Sequence, residues 1–154
     1  MDKTNVMRIL DNAHINYNVY TYDENETSGE NVAKLVGIEP ERVFKTLVTI
    51  ANTKEYFVFM IPVSSELNLK KAACVANVKS IEMIKQKELL ALTGYIHGGC
   101  SPIGMKKKFP TFIDEMALLF PAICFSAGKR GHQVEVATND LIEFACAKTT
   151  DLTI

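Results

Sequence analysis

The chain has 154 residues, 47% of them hydrophobic and 23% charged, a composition that excludes an intrinsically disordered protein. Its 17 basic and 18 acidic side chains nearly cancel, which argues against a nucleic-acid-binding domain with a strongly basic overall charge. The most apolar run, residues 56–62, is far shorter than the ~20 residues of a membrane helix, and the N-terminus lacks the apolar stretch of a secretion signal, so we expect a cytoplasmic protein without a membrane partner.

The hydrophobic pattern of the first half predicts two helices with a strand between them, followed by a hairpin. Thr4 can cap the first helix, and Thr27 and Glu30 have the spacing of a capping box at the start of the second, which ends at Gly37. The predicted elements are a helix over 4–13, a strand over 16–22, a helix from Thr27 to Gly37, a short helical turn at Pro40, and two antiparallel strands over 43–51 and 56–61.

The second half predicts short elements on either side of an irregular loop. Four of the eight glycines lie in 94–104, so this segment is expected to be a shaped loop with exposed backbone. The mixture of short helices and strands predicts an α+β fold around a curved mixed sheet, formed by residues 1–154 as one domain. The predicted elements are helices over 66–74, 81–91 and 139–147, capped by Ser65, Ser80 and Thr138, and strands over 111–113, 122–126 and 133–136.

The four cysteines show neither a CxxC pair nor the Cys/His spacing of a zinc site. We therefore expect reduced thiols and predict neither a metal site nor a cofactor. Cys74, Cys124 and Cys146 lie among apolar neighbours and are expected in the core, whereas Cys100 lies in the glycine-rich loop. Cys100 could be a nucleophile if His97 or His132 held it as a thiolate, although its context matches no signature of such enzymes.

Lys45 is the first candidate functional residue, because it interrupts a segment that otherwise has the pattern of a buried strand. A lysine there either snorkels to the surface from an edge strand or holds its ammonium in a pocket, where it would bind a carboxylate, phosphate or carbonyl oxygen.

Two glycine-containing segments are further candidates. Consecutive glycines at Gly98 and Gly99 let the backbone approach a ligand closely, but they also fit an ordinary tight turn. Lys129 and Arg130 lie between glycines and could contact phosphate, as could the group Lys106, Lys107 and Lys108; solvated surface positions explain both groups equally well. Tyr20 and Tyr22 lie on one face of the first strand, where either one could line a pocket.

Three segments occur in the order and spacing of one family: VFKTLV around Lys45, GYIHGGCSPIGMKKK over 94–108 and FSAGKRGHQVEV over 125–136. The sequence resembles the YbaK/EbsC-type aminoacyl-tRNA deacylases, freestanding relatives of the editing domain of prolyl-tRNA synthetases. The resemblance implies an α+β domain with a mixed, barrel-like sheet flanked by helices. It also implies hydrolysis, in trans, of the ester between a wrong amino acid and tRNA.

The resemblance also implies a set of site residues. Some members of the family carry Asp where this chain has Gln133, which weakens any role for a carboxylate there. The implied residues are Lys45, Gly98 and Gly99 for catalysis, and Tyr20, Ser101, Pro102, Ser126 and Gln133 for substrate binding; the basic side chains expected to contact tRNA are Lys106, Lys107, Lys108, Lys129 and Arg130.

Within the family, the sequence is most similar to the branch that removes cysteine from tRNA(Pro) and tRNA(Cys), where the substrate's own thiol is thought to attack its ester. We therefore expect aminoacyl-tRNA as substrate and prolyl-tRNA synthetase as a candidate partner, and we expect no DNA partner. Three alternatives stay open: an Ala-tRNA(Pro) deacylase, a non-catalytic module that binds tRNA or a synthetase, and a thiol- or metal-dependent enzyme that uses Cys100 and His97.

Overall fold

The computed structural model describes residues 2–154, which contain five α-helices, eight β-strands and three short 3₁₀ turns. The helices are α1 (Asn5–Asn12), α2 (Gly29–Val36), α3 (Leu69–Val75), α4 (Leu89–Thr93) and α5 (Thr138–Ala145). The strands are β1 (Tyr17–Thr21), β2 (Phe44–Ala51), β3 (Tyr56–Pro62), β4 (Ile81–Met83), β5 (Thr111–Asp114), β6 (Ala122–Ser126), β7 (His132–Ala137) and β8 (Lys148–Thr150). The 3₁₀ turns are Pro40–Arg42, Gln86–Glu88 and Glu115–Leu119.

The strands form two sheets, one of three strands in the order β1-β7-β6 and one of five strands in the order β4-β2-β3-β5-β8. Strand β5 pairs in parallel with β3 and β8, and the other pairs are antiparallel, so the α+β fold with mixed pairing is confirmed. Within the described residues the strands do not close into a barrel. Strand β4 covers only Thr49–Ala51 of β2, and ahead of β2 a parallel bridge between Val43 and Cys124 links the two sheets.

The three-stranded sheet separates the main core from the site described below. Val19, Val134 and Phe125 lie opposite one another on β1, β7 and β6, and they pack into the cluster that also contains Val6 and Leu10 of α1. The next row across the same strands consists of Tyr20, Gln133 and Ser126. Because side chains alternate along a strand, this polar row lies on the face turned away from that core.

Some of the helix ends in the first half lie where the sequence predicts them, and one does not. Thr4 caps α1 as expected, since its Oγ1 accepts a hydrogen bond from the Met7 N–H at 3.2 Å. Gly37 ends α2 as expected, with a left-handed φ of 74°. The capping box at Thr27 is wrong, because α2 begins one residue later, after Ser28, whose N–H donates to the Glu26 side chain at 2.9 Å.

The other expected helix starts need correction. Helix α3 begins after Asn68, whose side chain accepts hydrogen bonds from two N–H groups, so Ser65 is not the cap. Ser80 precedes a strand rather than a helix, because residues 81–83 pair with the exposed edge of β2 and bury Ile81 against Ala51. Thr138 is the first residue of α5, and its hydroxyl donates to the Phe120 carbonyl instead of capping the helix.

The cysteine prediction is correct for one of the three expected core residues. Cys124 is fully buried, whereas Cys74 and Cys146 are exposed because they lie on the outer sides of the α3 region and the end of α5. All four thiols are free. None of the helices formed by residues 2–154 is long and apolar enough to cross a membrane.

Candidate active site

A cavity of about 200 Å³ lies between the start of β2, the end of β6 and the start of β7. The β1–α2 connection and the glycine-rich loop complete its wall. Four of the catalytic and substrate-binding residues implied by the resemblance line it together: Lys45, Gly98, Ser126 and Gln133. These residues come from three separate segments of the chain, so only the fold brings them to one site.

Lys45 is the cation of this cavity. Within residues 2–154 its ammonium has no hydrogen bond and no acidic side chain within 4.0 Å, although the residue is half-buried. The bridge between Val43 and Cys124 is parallel, so Lys45 and Ser126 each follow it by two residues on neighbouring strands. The position of Lys45 therefore depends on the junction of the two sheets, and its charge is available to a ligand.

Ser126 and Gln133 are cross-strand neighbours at the end of β6 and the start of β7. The Ser126 Oγ accepts a hydrogen bond from the Gly128 N–H at 3.1 Å, which leaves its O–H free to donate to a ligand. The Gln133 Oε1 is buried and has no hydrogen-bond partner among residues 2–154. The cavity thus combines a free cation, a free hydroxyl donor and an unsatisfied amide oxygen.

Thr46 is a cavity residue that the sequence analysis missed. Its Oγ1 is buried and, like the Gln133 oxygen, lacks a partner within the described chain. A threonine directly after the candidate lysine was the available signal, but threonine is also common in strands for its shape alone. Tyr22 and Glu26, from the segment before α2, line the cavity as well.

The glycine-rich loop is held against the turn that follows β6. The Arg130 Nε–H donates to the His97 carbonyl at 2.7 Å, and a Cβ at Gly99 would lie 3.3 Å from the Arg130 backbone nitrogen. Gly98 has a φ of 87°, a conformation that glycine adopts without steric cost. Arg130, predicted as a tRNA contact, therefore fastens the loop. The Gly99 N–H donates to the Ile96 carbonyl at 3.0 Å and is not free to bind a substrate oxygen.

The interpretation of Cys100 as a nucleophile loses support. Burial raises the pKa of its thiol to about 12, so the thiol stays protonated near neutral pH. The neighbouring His97 is exposed and is bonded through its backbone carbonyl. No group of three or more His, Cys, Asp or Glu side chains that could hold a metal ion occurs in residues 2–154.

The cavity lining does not include three of the predicted substrate-binding residues: Tyr20, Ser101 and Pro102. Tyr20 packs beside Cys124, and its hydroxyl lies 3.4 Å from the Glu135 carboxylate, which also pairs with Arg42 at 3.1 Å. Burial, followed by the Glu135 charge, raises the pKa of Tyr20. Ser101 is fully buried, and its Oγ accepts a hydrogen bond from the Ile103 N–H at 3.3 Å. The structure thus places Tyr20 and Ser101 in the supporting framework, while Tyr22 lines the cavity in place of Tyr20.

Pro102 lines a second depression, of about 360 Å³, on the outer surface. Lys107 and Lys108 border this depression together with Phe109. Lys106, the preceding residue, and Lys129, in the turn after β6, are also exposed. The lysines predicted to contact tRNA therefore lie outside the cavity, on segments that adjoin the glycine-rich loop.

We expect the bare backbone of the loop, and not its thiol, to determine activity. Gly98→Phe should abolish turnover because its side chain would crowd Arg130, 3.1 Å from the added Cβ, and Thr27 at the cavity wall. Gly98→Ala should cost about 1–2 kcal/mol of stability through its left-handed φ. Cys100→Ala is the matched control in the same loop and should retain near-normal rates. The measurements are single-turnover deacylation and thermal unfolding; an inactive, folded Cys100→Ala beside an active Gly98→Phe would reverse the assignment.

Comparison with known proteins identifies the family of the chain. The sequence model of the aminoacyl-tRNA editing domain matches residues 23–144. A protein of Enterococcus faecalis, named "Putative Cys-tRNA(Pro)/Cys-tRNA(Cys) deacylase EbsC", is 45% identical over 153 residues, which cover 98% of this chain and 93% of the relative.

Solved structures share the fold at lower identity. A "putative trans-editing enzyme for prolyl tRNA synthetase" superposes with a TM-score of 0.85 and 21% identity, covering 99% of both chains. The "hypothetical protein APE2540" superposes with a TM-score of 0.89 and 19% identity, covering 97% of this chain and 99% of its own. The matched domain spans most of the chain, including the β2, β6 and β7 segments that form the cavity, and the chain belongs to the aminoacyl-tRNA editing domain family.

Proposed function

We propose that this protein is a trans-editing deacylase that hydrolyses the ester between cysteine and the 3′ end of tRNA(Pro) or tRNA(Cys). The observation that carries the proposal is the unpaired Lys45 ammonium inside a cavity that also presents the Ser126 hydroxyl. The name of the enterococcal relative supports the choice of substrate. The small cavity suits an aminoacyl group rather than a long peptide.

Ester cleavage places negative charge on the carbonyl oxygen as the tetrahedral intermediate forms. Preorganised donors aimed at that oxygen stabilise the transition state. Lys45 and Ser126 both present free donors to the cavity, whereas the Gly99 N–H beside it is already bonded. We assign the oxyanion contact to these two side chains, and we assign to Gly98 the close approach of the backbone to the substrate.

The attacking group in this proposal comes from the substrate. The thiol of the esterified cysteine attacks its own carbonyl carbon, so that a carbon–sulfur bond forms and the ester carbon–oxygen bond breaks. The thiol proton ends on the released ribose oxygen, and the first product is a cyclic thioester of cysteine, which a water molecule then opens to free cysteine. This route suits a cavity in which the one cysteine, Cys100, is held as a neutral thiol.

The test is deacylation of purified tRNA(Pro) charged with cysteine, alanine or proline, with tRNA(Cys) charged with cysteine beside them. Rapid loss of cysteine with slow loss of alanine and proline is the expected result. Preference for alanine would assign the Ala-tRNA(Pro) activity instead. No turnover on any of these substrates, in a protein that still binds tRNA, would favour a binding module.

Contact with tRNA is proposed to depend on a local group of lysines because the overall charge is close to neutral. Lys106, Lys107 and Lys108 form this group, and Lys129 lies exposed in the turn that supports the glycine-rich loop. Such local contacts predict weak binding of free tRNA, which fits a protein that acts beside prolyl-tRNA synthetase. This partnership is tested by adding the synthetase to the deacylation assay.

Reversing the charge of this lysine group should weaken binding and its salt dependence together. In K106E/K107E/K108E, every lysine–phosphate interaction that is removed should reduce the slope of log affinity against log salt by about 0.7–0.9. Arg130 is left intact because its replacement would release the loop. The matched control is K54E/K70E/K79E, which alters three other exposed lysines. An equal decrease of affinity in both triple variants, measured by salt titration, would remove the lysine group as a specific tRNA-binding surface.

A further inference from the structure

Two buried side-chain atoms in residues 2–154 lack a hydrogen-bond partner: Thr46 Oγ1 and Gln133 Oε1. Both residues line the same cavity of about 200 Å³. Gln133 is only 7% exposed. Buried polar atoms are almost always paired in folded proteins, and leaving one unpaired is unfavourable. Their coincidence at one site therefore indicates that a ligand completes their hydrogen bonds.

The other threonine of β2, Thr49, is hydrogen-bonded within the fold, in contrast to Thr46. Thr49, three residues further along β2, is fully buried and donates its hydroxyl to the Phe57 carbonyl at 2.8 Å. The same strand thus satisfies one threonine hydroxyl within the fold and leaves the other at the cavity. The contrast provides an internal control on the same strand.

The unpaired atoms define the chemistry of what they bind. The Gln133 amide oxygen is an acceptor, and the Thr46 hydroxyl oxygen has accepting lone pairs. Lys45 and Ser126 already provide donors for a carbonyl oxygen. The Gln133 oxygen can only accept, so the ligand must carry a strong hydrogen-bond donor close to its carbonyl group, whereas the Thr46 hydroxyl can accept from that donor or donate. A thiol is a poor candidate for this contact, because S–H is a weak donor.

We propose, on the basis of the deacylase function above, that Thr46 and Gln133 are specificity residues that accept hydrogen bonds from a donor next to the scissile ester. An aminoacylated tRNA end carries two such donors, the α-amino group of the amino acid and the free hydroxyl of the terminal ribose. Both present the shared chemistry of an N–H or O–H beside the ester. The pair would thereby select a free aminoacyl ester over esters that lack this donor.

The experiment compares three substrates on the wild-type chain: Cys-tRNA(Pro), the 3-mercaptopropionyl ester of the same tRNA, and Cys-tRNA(Pro) ending in 2′-deoxyadenosine. The second keeps the thiol and carbonyl but lacks the α-amino group, and the third lacks the ribose hydroxyl. A loss of about 10- to 100-fold in kcat/KM on one of them is expected, the size of a missing hydrogen bond to a charged or buried group. The analogue that suffers the loss identifies the donor.

Substitutions of Thr46 and Gln133 then test whether these two residues bind the recognised donor. Thr46→Val and Gln133→Met keep side-chain size and remove the acceptors, and each should lower kcat/KM on Cys-tRNA(Pro) by about 10-fold or more. On the analogue that lacks the recognised donor, the same variants should cause little further loss, because interacting groups are not additive. Equal losses on every substrate would overturn the proposal.

Thermal unfolding separates recognition from a structural role. Thr46→Val should unfold at the same temperature as the wild type or higher, because it replaces an unpaired buried hydroxyl with a methyl group. Thr49→Val, the matched control, removes a satisfied hydroxyl outside the cavity and should lower Tm while leaving kcat/KM near the wild-type value. A lower Tm for Thr46→Val would assign its hydroxyl to the fold and overturn the proposal.

The experiments distinguish failure of the deacylase function from failure of the recognition proposal for Thr46 and Gln133. A wild-type chain that turns over no cysteinyl ester overturns the deacylase function, and the recognition proposal with it. A wild-type chain that turns over Cys-tRNA(Pro), with Thr46→Val and Gln133→Met equally active, overturns the recognition proposal alone. Glu26 also lines the cavity and could hold an ammonium by charge. If Glu26→Gln alone erased the preference for the α-amino group, the carboxylate would be the recognising group instead.

Discussion

Removal of the Lys45 ammonium should lower the rate of deacylation by about 10²–10³, the effect of deleting one preorganised oxyanion donor. Lys45→Met is the sharper variant, because it keeps most of the apolar stem and removes only the charge. Lys45→Ala should lose at least as much. The fold should persist in both, since Lys45 makes no hydrogen bond or ion pair within residues 2–154. We expect the free energy of unfolding to change by less than about 1 kcal/mol.

Single-turnover rates on saturating Cys-tRNA(Pro) measure this effect without interference from tRNA binding. Lys54→Met is the matched control, because Lys54 is an exposed lysine in the turn at the other end of β2. Lys45→Arg should keep part of the activity, since it preserves the charge but not the shape of the ammonium. A folded Lys45→Met protein with a normal rate would show that the oxyanion is stabilised elsewhere.

Serine-charged tRNA should be hydrolysed far more slowly than cysteine-charged tRNA if the substrate provides its own nucleophile. The two side chains are almost isosteric, so the cavity could not separate them strongly by size. A thiol with a pKa near 8.5 is a few per cent thiolate at neutral pH, whereas an alcohol has almost no alkoxide there. The discrimination should therefore exceed what a single methylene allows, which is about 10- to 200-fold.

The pH dependence gives a second measurement of the same mechanism. The thiolate fraction grows as the pH approaches the thiol pKa, so the single-turnover rate on Cys-tRNA should rise between about pH 6 and 8.5 and then level off. The protein thiol nearest the site does not produce this rise, because burial raises the pKa of Cys100 to about 12. Cys100→Ala should show the same profile, which makes it the control.

Equal rates on serine and cysteine would contradict substrate-assisted attack. In that case the protein would have to activate a water molecule, and a pH profile shared by both substrates would report the group responsible. Lys45 and Ser126 would then be the first side chains to test, because both face the cavity with a free donor.

Local sequence patterns predict six of the eight strands and miss β4 and β8. Strands β2 and β3 are apolar, β-rich segments of eight and seven residues, and both form where the sequence predicts them. Residues 81–83 have the pattern of a helix start and form β4 instead, because the free edge of β2 captures them. Strand β8 has no clear signal in the sequence, since its three residues are held only by pairing with β5.

The candidate site can be predicted from the sequence in outline but not in detail. Lys45 can be selected from its sequence alone, because a charged residue within a buried strand pattern is unusual. Tyr22, the residue after β1, lines the cavity, whereas the Tyr20 hydroxyl lies beside Glu135, and no local feature of the sequence distinguishes the two tyrosines. The Thr46 hydroxyl has no hydrogen-bond partner, whereas the Thr49 hydroxyl donates to the Phe57 carbonyl on β3. The sequence around the two threonines does not show this difference.

The sequence by itself determined the family, the α+β class, the main strands and the individual residues able to do chemistry, because composition, periodicity and motif order are local properties of the chain. Only the tertiary structure decided which of those residues meet. The bridge between Val43 and Cys124 brings Lys45 beside Ser126, and the contact of Arg130 with the His97 carbonyl fixes the loop above them. Burial, hydrogen-bond satisfaction and cavity shape depend on pairs of residues far apart in sequence, so they exist only once the two sheets have joined.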